Sequence, residues 1–136
     1  MMKFYIASSF ANKDKVREAA SILRKAGYVH TFDWTANLRA SSVEDLELYG
    51  TLEKKAVLEA DFLIVLLPAG KGSHIELGIA LGQGKTVYLL SESEELFDFE
   101  VTSTFYYLPE VRILVGKLRD NIETVQKFIT QQKSVR

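Results

Sequence analysis

The chain has 136 residues, 47% of them apolar, which is material for a single domain with one real core. Its 17 basic and 18 acidic side chains nearly cancel, which argues against a nucleic-acid polymer or an anionic membrane as partner and favours a small, locally recognised ligand. No cysteine occurs, which excludes disulfides, thiol nucleophiles and thiolate-built zinc sites; with no basic leader and no apolar run of membrane-spanning length, the expected setting is the cytoplasm.

In chain order, Lys3 to Ala7 reads as a strand. Asn12 to Ala26 follows as a helix, with Val16, Ala19, Leu23 and Ala26 on one face and Gly27 as its stop. Tyr28 to Phe32 is rich in strand formers and ends at Asp33 and Trp34, after which Thr35 to Ser42 reads as a polar loop. The spacing of Leu46, Tyr49, Ala56, Val57 and Ala60 predicts a second helix over 43–60. The unbroken apolar run Phe62 to Leu67 fits a strand buried on both faces of a parallel sheet. A glycine-containing loop, Pro68 to Gly72, leads into a third helix, Ser73 to Gly82, and then a fourth strand, Thr86 to Leu90. Residues 92–109 show no period. Val111 to Val115 is a last strand, and Leu118, Ile122, Val125 and Ile129 mark a closing helix.

Strands alternating with helices predict one α/β domain over residues 1–136. The expected architecture is a flavodoxin-like or Rossmann-like three-layer sandwich whose five-stranded parallel sheet has the order 2-1-3-4-5. Such sheets bind ligands at the carboxyl ends of their strands. The loops to inspect therefore carry Ser8 and Ser9, Asp33 and Trp34, Pro68 to Ser73, and Ser91 and Glu92.

Three tempting motifs fail. Gly84-Lys85-Thr86 lacks the first glycine of a P-loop, has Ile79 in its place, and lies between a helix and a strand in the wrong order; Gly82 and Gly84 read as helix stops. Gly70-Lys71-Gly72 lacks the third glycine of a dinucleotide fingerprint, although a glycine loop feeding a helix still offers free N–H groups to an anion. His74-Ile75-Glu76 matches the His-x-Glu of zinc deaminases without their cysteines, and His30 and His74 alone make no metal site. Neither a metal nor a cofactor is expected.

Glu76 is the one charged side chain in the apolar stretch Ile75 to Gly82, where an unpaired charge would cost several kcal/mol to bury. Two accounts fit: a functional carboxylate, or a capping box formed by Ser73-x-x-Glu76. Glu53 falls on the same helical face as Tyr49, Ala56, Val57 and Ala60, either as a second functional carboxylate or at the stripe's edge beside Lys54 and Lys55. Trp34 suits either a stacked base or the core, and Ser8 and Ser9 either a phosphate or the next helix's N-terminus.

Taken together, these segments resemble the nucleoside 2-deoxyribosyltransferase superfamily, which includes the deoxynucleoside 5′-monophosphate N-glycosidases. The resemblance covers residues 3–90. Phe4-Tyr5-Ile6-Ala7-Ser8-Ser9-Phe10 is similar to the family's first-strand signature, Ala60 to Val65 to its central strand, and Gly72-Ser73-His74-Ile75-Glu76-Leu77-Gly78 with Gly84-Lys85 to the segment bearing its nucleophile. The resemblance implies cleavage or transfer of the N-glycosidic bond of a nucleoside or nucleoside 5′-monophosphate. It gives Glu76 as the attacking glutamate, Tyr5 as the tyrosine that positions it, and Glu53 where the family has an aspartate facing the sugar and leaving base. Gly70, Gly72 and Ser73, with Ser8, Ser9, Asp33 and Trp34, are the expected substrate contacts. Ser8-Ser9 replaces the usual Gly-Pro, and Gly70 stands where some nucleotide glycosidases have a phosphate-binding serine. Two rival activities are a TIR-like NAD glycohydrolase and a non-catalytic nucleotide sensor. The family also implies a homodimer or larger oligomer, for which the aromatic cluster from Phe97 to Tyr107 is the expected surface.

Overall fold

The computed structural model describes residues 2–134. Its five strands are β1 (Lys3–Ser8), β2 (Val29–His30), β3 (Phe62–Leu66), β4 (Thr86–Ser91) and β5 (Val111–Val115), and its four helices are α1 (Lys13–Lys25), α2 (Val43–Glu59), α3 (Lys71–Gly82) and α4 (Leu118–Ser134). All strand pairs are parallel, in the order β2-β1-β3-β4-β5. Every residue of β3 is buried, as its unbroken run of Phe, Leu, Ile, Val and Leu requires of a strand covered on both faces. Each fully buried side chain of this kind contributes about 1.5–3 kcal/mol relative to exposure.

Parallel neighbours need crossovers, and right-handed ones place α1 and α4 on one face and α2 and α3 on the other. The helices do pack in those pairs, α1 on α4 and α2 on α3. Ser42 caps α2, accepting the Asp45 N–H at 3.0 Å, and the Lys85 ammonium donates to the Leu58 and Ala60 carbonyls at the helix's other end. The lysine that imitates a P-loop thus closes a helix C-terminus. Gly27 (φ 98°) and Gly84 (φ 69°) take the left-handed conformation at the ends of α1 and α3, which a side chain would disfavour.

Four local expectations shift. Residues 10–12 form a separate 3-10 turn before α1. As an edge strand, β2 pairs with β1 through only Val29 and His30, so it is shorter than the strand-forming composition of 28–32 implies. The third helix begins at Lys71 with Gly70 as its N-cap, two residues ahead of Ser73. Between β4 and β5 the chain makes two 3-10 turns, Glu95–Phe97 and Thr104–Tyr107, anchored by buried Leu96 and Tyr106. Short 3-10 turns carry no long period, which is why this stretch gave no pattern. No helix among the described residues is long and apolar enough to cross a membrane.

Candidate active site

A cavity of about 290 Å³ opens at the carboxyl end of β1 and the start of α3. Tyr5, Ser8 and Ser9 come from β1 and the loop beyond it, Gly70, Gly72, Ser73 and Glu76 from the entry and first turns of α3, Glu53 from α2 and Trp34 from the 3-10 turn after β2. This crevice lies where the connections from β1 and β3 leave in opposite directions, the position the sheet order favours for a ligand.

Its floor is a hydrogen bond between elements 71 residues apart: the Tyr5 hydroxyl donates to Glu76 Oε2 at 2.7 Å. Tyr5 is fully buried and Glu76 is 7% exposed. Burial pushes the Glu76 carboxyl up from 4.5 to about 8; the Tyr5 hydrogen bond opposes the shift, while hydrogen bonding and charge repulsion from Glu53 add to it. The Tyr5 phenol is itself pushed far above its ordinary value by burial, then by the charge and hydrogen bond of Glu76, so it stays a donor at any physiological pH. Glu53, half-buried, faces the same cavity, and its hydrogen bond and charge favour the protonated form of Glu76.

The capping-box account of Glu76 does not hold. With the helix starting at Lys71, Glu76 lies past the first turn, and Ser73 Oγ instead accepts the N–H of Gly70 at 3.3 Å. The N–H groups of Lys71, Gly72 and Ser73 have no preceding helical carbonyl to reach, and the helix dipole adds partial positive charge at this rim.

Trp34 is a core residue that also lines the cavity. Its indole N–H donates to the Ile6 carbonyl at 2.7 Å, fixing it on β1 at 8% exposure, while its ring borders the cavity. Ser8 lines the cavity while its hydroxyl donates to the Leu66 carbonyl at 2.7 Å and accepts from Asn12 Nδ2 at 3.1 Å, tying β1 to β3. Ser9 precedes the 3-10 turn without capping it through its side chain. Asp33 is not on the cavity wall; it caps the turn at 34–36, accepting the Thr35 N–H at 3.0 Å and the Thr35 hydroxyl. Burial raises the Asp33 carboxyl, but these Thr35 hydrogen bonds outweigh it and hold the group below its ordinary value.

A second hollow of about 500 Å³ adjoins the first and shares Phe10, Trp34 and Glu53 with it. Asn37, Leu38, Arg39, Ala40 and Tyr49 complete its wall. The sequence placed residues 35–42 in a polar loop and gave no signal that Asn37 and Arg39 border a cavity, since isolated polar residues in loops have no period to betray their direction. Lys71, at the rim of the first cavity, lies in the loop Pro68 to Ser73 that the sheet order marked, though it was not singled out as a contact. Among the described residues no group of three or more His, Asp and Glu side chains is placed to hold a metal ion.

No family model and no curated protein matches the chain. Solved structures do. The CMP N-glycosidase BcmB of Clostridium botulinum superimposes with a TM-score of 0.64 at 19% identity, over 91% of this chain and 98% of that one. A conserved protein from Enterococcus faecalis gives 0.64 at 17% identity, over 93% and 98% respectively. A de novo designed Rossmann 2x3 protein gives 0.53 at 14% identity, over 96% and 90%. At these identities the likeness establishes the Rossmann-like fold.

Proposed function

We propose that the protein cleaves, or transfers, the N-glycosidic bond of a nucleoside or nucleoside 5′-monophosphate, with Glu76 as nucleophile. The observation that carries this reading is the buried Tyr5–Glu76 hydrogen bond with Glu53 beside it in one cavity. The likeness to a structure described as a CMP N-glycosidase supports the same class of reaction.

A sugar losing its base develops positive charge at the anomeric carbon, which a desolvated carboxylate both stabilises and captures. The two carboxyls divide the work. Glu76, held by Tyr5, forms a bond from its carboxylate oxygen to the anomeric carbon as the carbon–nitrogen bond breaks. Glu53, which borders both hollows, delivers a proton to the departing base nitrogen. Water, or a second base in transfer, then displaces Glu76 from the anomeric carbon and returns its proton to Glu53. The smaller cavity, with its helix N-terminus, suits the sugar and any phosphate; the hollow walled by Phe10, Trp34 and Tyr49 suits the base.

The test is to incubate the protein with nucleosides, their 5′-monophosphates and NAD, with and without an acceptor base, and to chromatograph the released bases. Base released from a nucleoside or monophosphate, and lost in Glu76→Gln, is the expected result. Nicotinamide release from NAD alone would establish the TIR-like activity instead, and ligand binding without turnover would establish a sensor.

A further inference from the structure

The connection from β4 to β5 leaves a separate space at the carboxyl edge of the sheet. A doubly wound sheet of this order would carry a helix in that connection, but residues 92–110 make only two 3-10 turns. Beside them lies a cavity of about 460 Å³, bounded by the ends of β3 and β4, by His74 of α3 and by Tyr106. It shares no lining residue with either hollow of the candidate active site; the chain passes from one wall to the other between Ala69 and Gly70. Its volume falls within the roughly 300–1,000 Å³ usual for small-ligand pockets.

Charge and hydrogen-bonding capacity define what this cavity can hold. Lys15 on its wall is paired with Glu92, so the two cancel. The Glu95 carboxylate, on the same wall, has no ion pair or hydrogen bond among the described residues, and the local field it leaves is unfavourable to phosphate or any other anion. Ser93 Oγ accepts the Glu95 N–H at 3.3 Å and Ser103 Oγ accepts the Phe105 N–H at 3.2 Å, so both hydroxyls keep a proton to donate. His74 Nδ1 lies 2.7 Å from the Gly70 carbonyl and must donate to it; in the neutral imidazole Nε2 then accepts from the Tyr106 hydroxyl, also at 2.7 Å. Leu67, Pro68, Leu96 and Val101 supply apolar surface between these polar groups.

We infer that this cavity is a second ligand site, for an uncharged heterocycle bearing an exocyclic amine, carried as a free base or a nucleoside. Such an amine donates to Glu95, and the unprotonated ring nitrogen beside it accepts from a serine hydroxyl, the pattern on the edges of adenine and cytosine. An aliphatic polyamine would satisfy Glu95 but offer the hydroxyls no acceptor. A ligand held here also meets the Tyr106–His74 pair, and His74 holds the N-cap carbonyl of α3 at the rim of the candidate active site.

Binding at this site needs none of the proposed chemistry, and free bases, which carry no glycosidic bond, test it. In isothermal titration calorimetry of the full chain, adenine or cytosine should bind at least about tenfold more tightly than hypoxanthine or uracil, in which an oxo group replaces the amine. Glu95→Lys and Val101→Phe, both at exposed positions, should each weaken that binding by about tenfold or more with unchanged far-ultraviolet circular dichroism. Phe10→Ala, in the candidate active site, should retain it. Adenosine and cytidine, titrated into Glu76→Gln protein so that no turnover intervenes, separate the two sources: tighter binding than the bases assigns the site to the nucleoside, weaker binding to the base. No binding of any of these amines, equal binding of the oxo bases, tighter binding of spermidine, or full affinity in both Glu95→Lys and Val101→Phe would each overturn the assignment.

Discussion

The two helical layers of this protein obey different rules. In the α1/α4 layer hydrophobicity has one direction: Val16, Ala19, Ala20 and Leu23 of α1 and Leu118, Ile122, Val125 and Ile129 of α4 are buried, and the outer surface carries ion pairs such as Arg119–Glu18 at 3.3 Å. In the α2/α3 layer apolar residues point both ways. Val43, Leu46, Leu48, Leu52, Leu58 and Ile75 are exposed, while the carboxyls of Glu53 and Glu76 turn inward. A layer concerned only with stability settles into simple amphipathicity, because any departure costs free energy. Departures therefore mark where other demands act: those of Glu53 and Glu76 coincide with the cavity, and that of Ile75 with an apolar hollow beside α3.

The comparison is broken most directly at Glu76. Glu76→Gln should lower base release by on the order of 10⁴-fold or more, as loss of a nucleophile does, while the protein still folds. The same substitution has a pH signature. Because the folded carboxyl titrates above its unfolded value, the folded state binds the proton more tightly. Stability is therefore full below about 4.5 and falls as pH rises towards about 8. Denaturant melts of the wild type should lose a few kcal/mol across that window, and those of Glu76→Gln should be flatter and more stable at its alkaline end. A variant less stable than wild type at pH 8 would mean that the charge is a structural asset.

On the other layer the expectation reverses. Leu23→Ala removes a fully buried side chain of α1 and should cost about 2–5 kcal/mol in denaturant melts, with turnover per folded molecule unchanged. A turnover loss in the folded fraction would couple the layers more closely than their geometry does. The smallest effect belongs to Lys15, which pairs with Glu92 across an exposed surface: Lys15→Ala should change stability by less than about 1 kcal/mol, and less still in high salt.

Legibility in the sequence follows the same division. The order of the sheet and the buried runs of β3 and β4 could be read because burial on both faces leaves an unbroken apolar string. The isolation of Glu76 in an apolar helix correctly signalled a buried carboxylate, but the start of that helix was misplaced: Ser73 has the chemistry of an N-cap, whereas Gly70, the actual cap, has no side chain to announce it. Asp33 looked like a ligand contact because a strand ends there, and its short side chain was taken up by Thr35, two residues on. Asn37, Arg39 and Lys71 reach the cavity rims through loop and helix-end geometry that no periodicity encodes.

The register of the sheet bears on how the chain is made. Residues Phe4 to Ala7 of β1 are buried to the last atom, yet β2 offers β1 only two paired positions, and its five-residue partner, β3, begins at Phe62. At synthesis rates of about 5–20 residues per second, this apolar segment waits several seconds for the strand that will cover it. During that interval Phe4, Tyr5 and Ile6 form an unpaired, sticky edge, and crowding among nascent chains becomes a hazard that the finished molecule no longer displays.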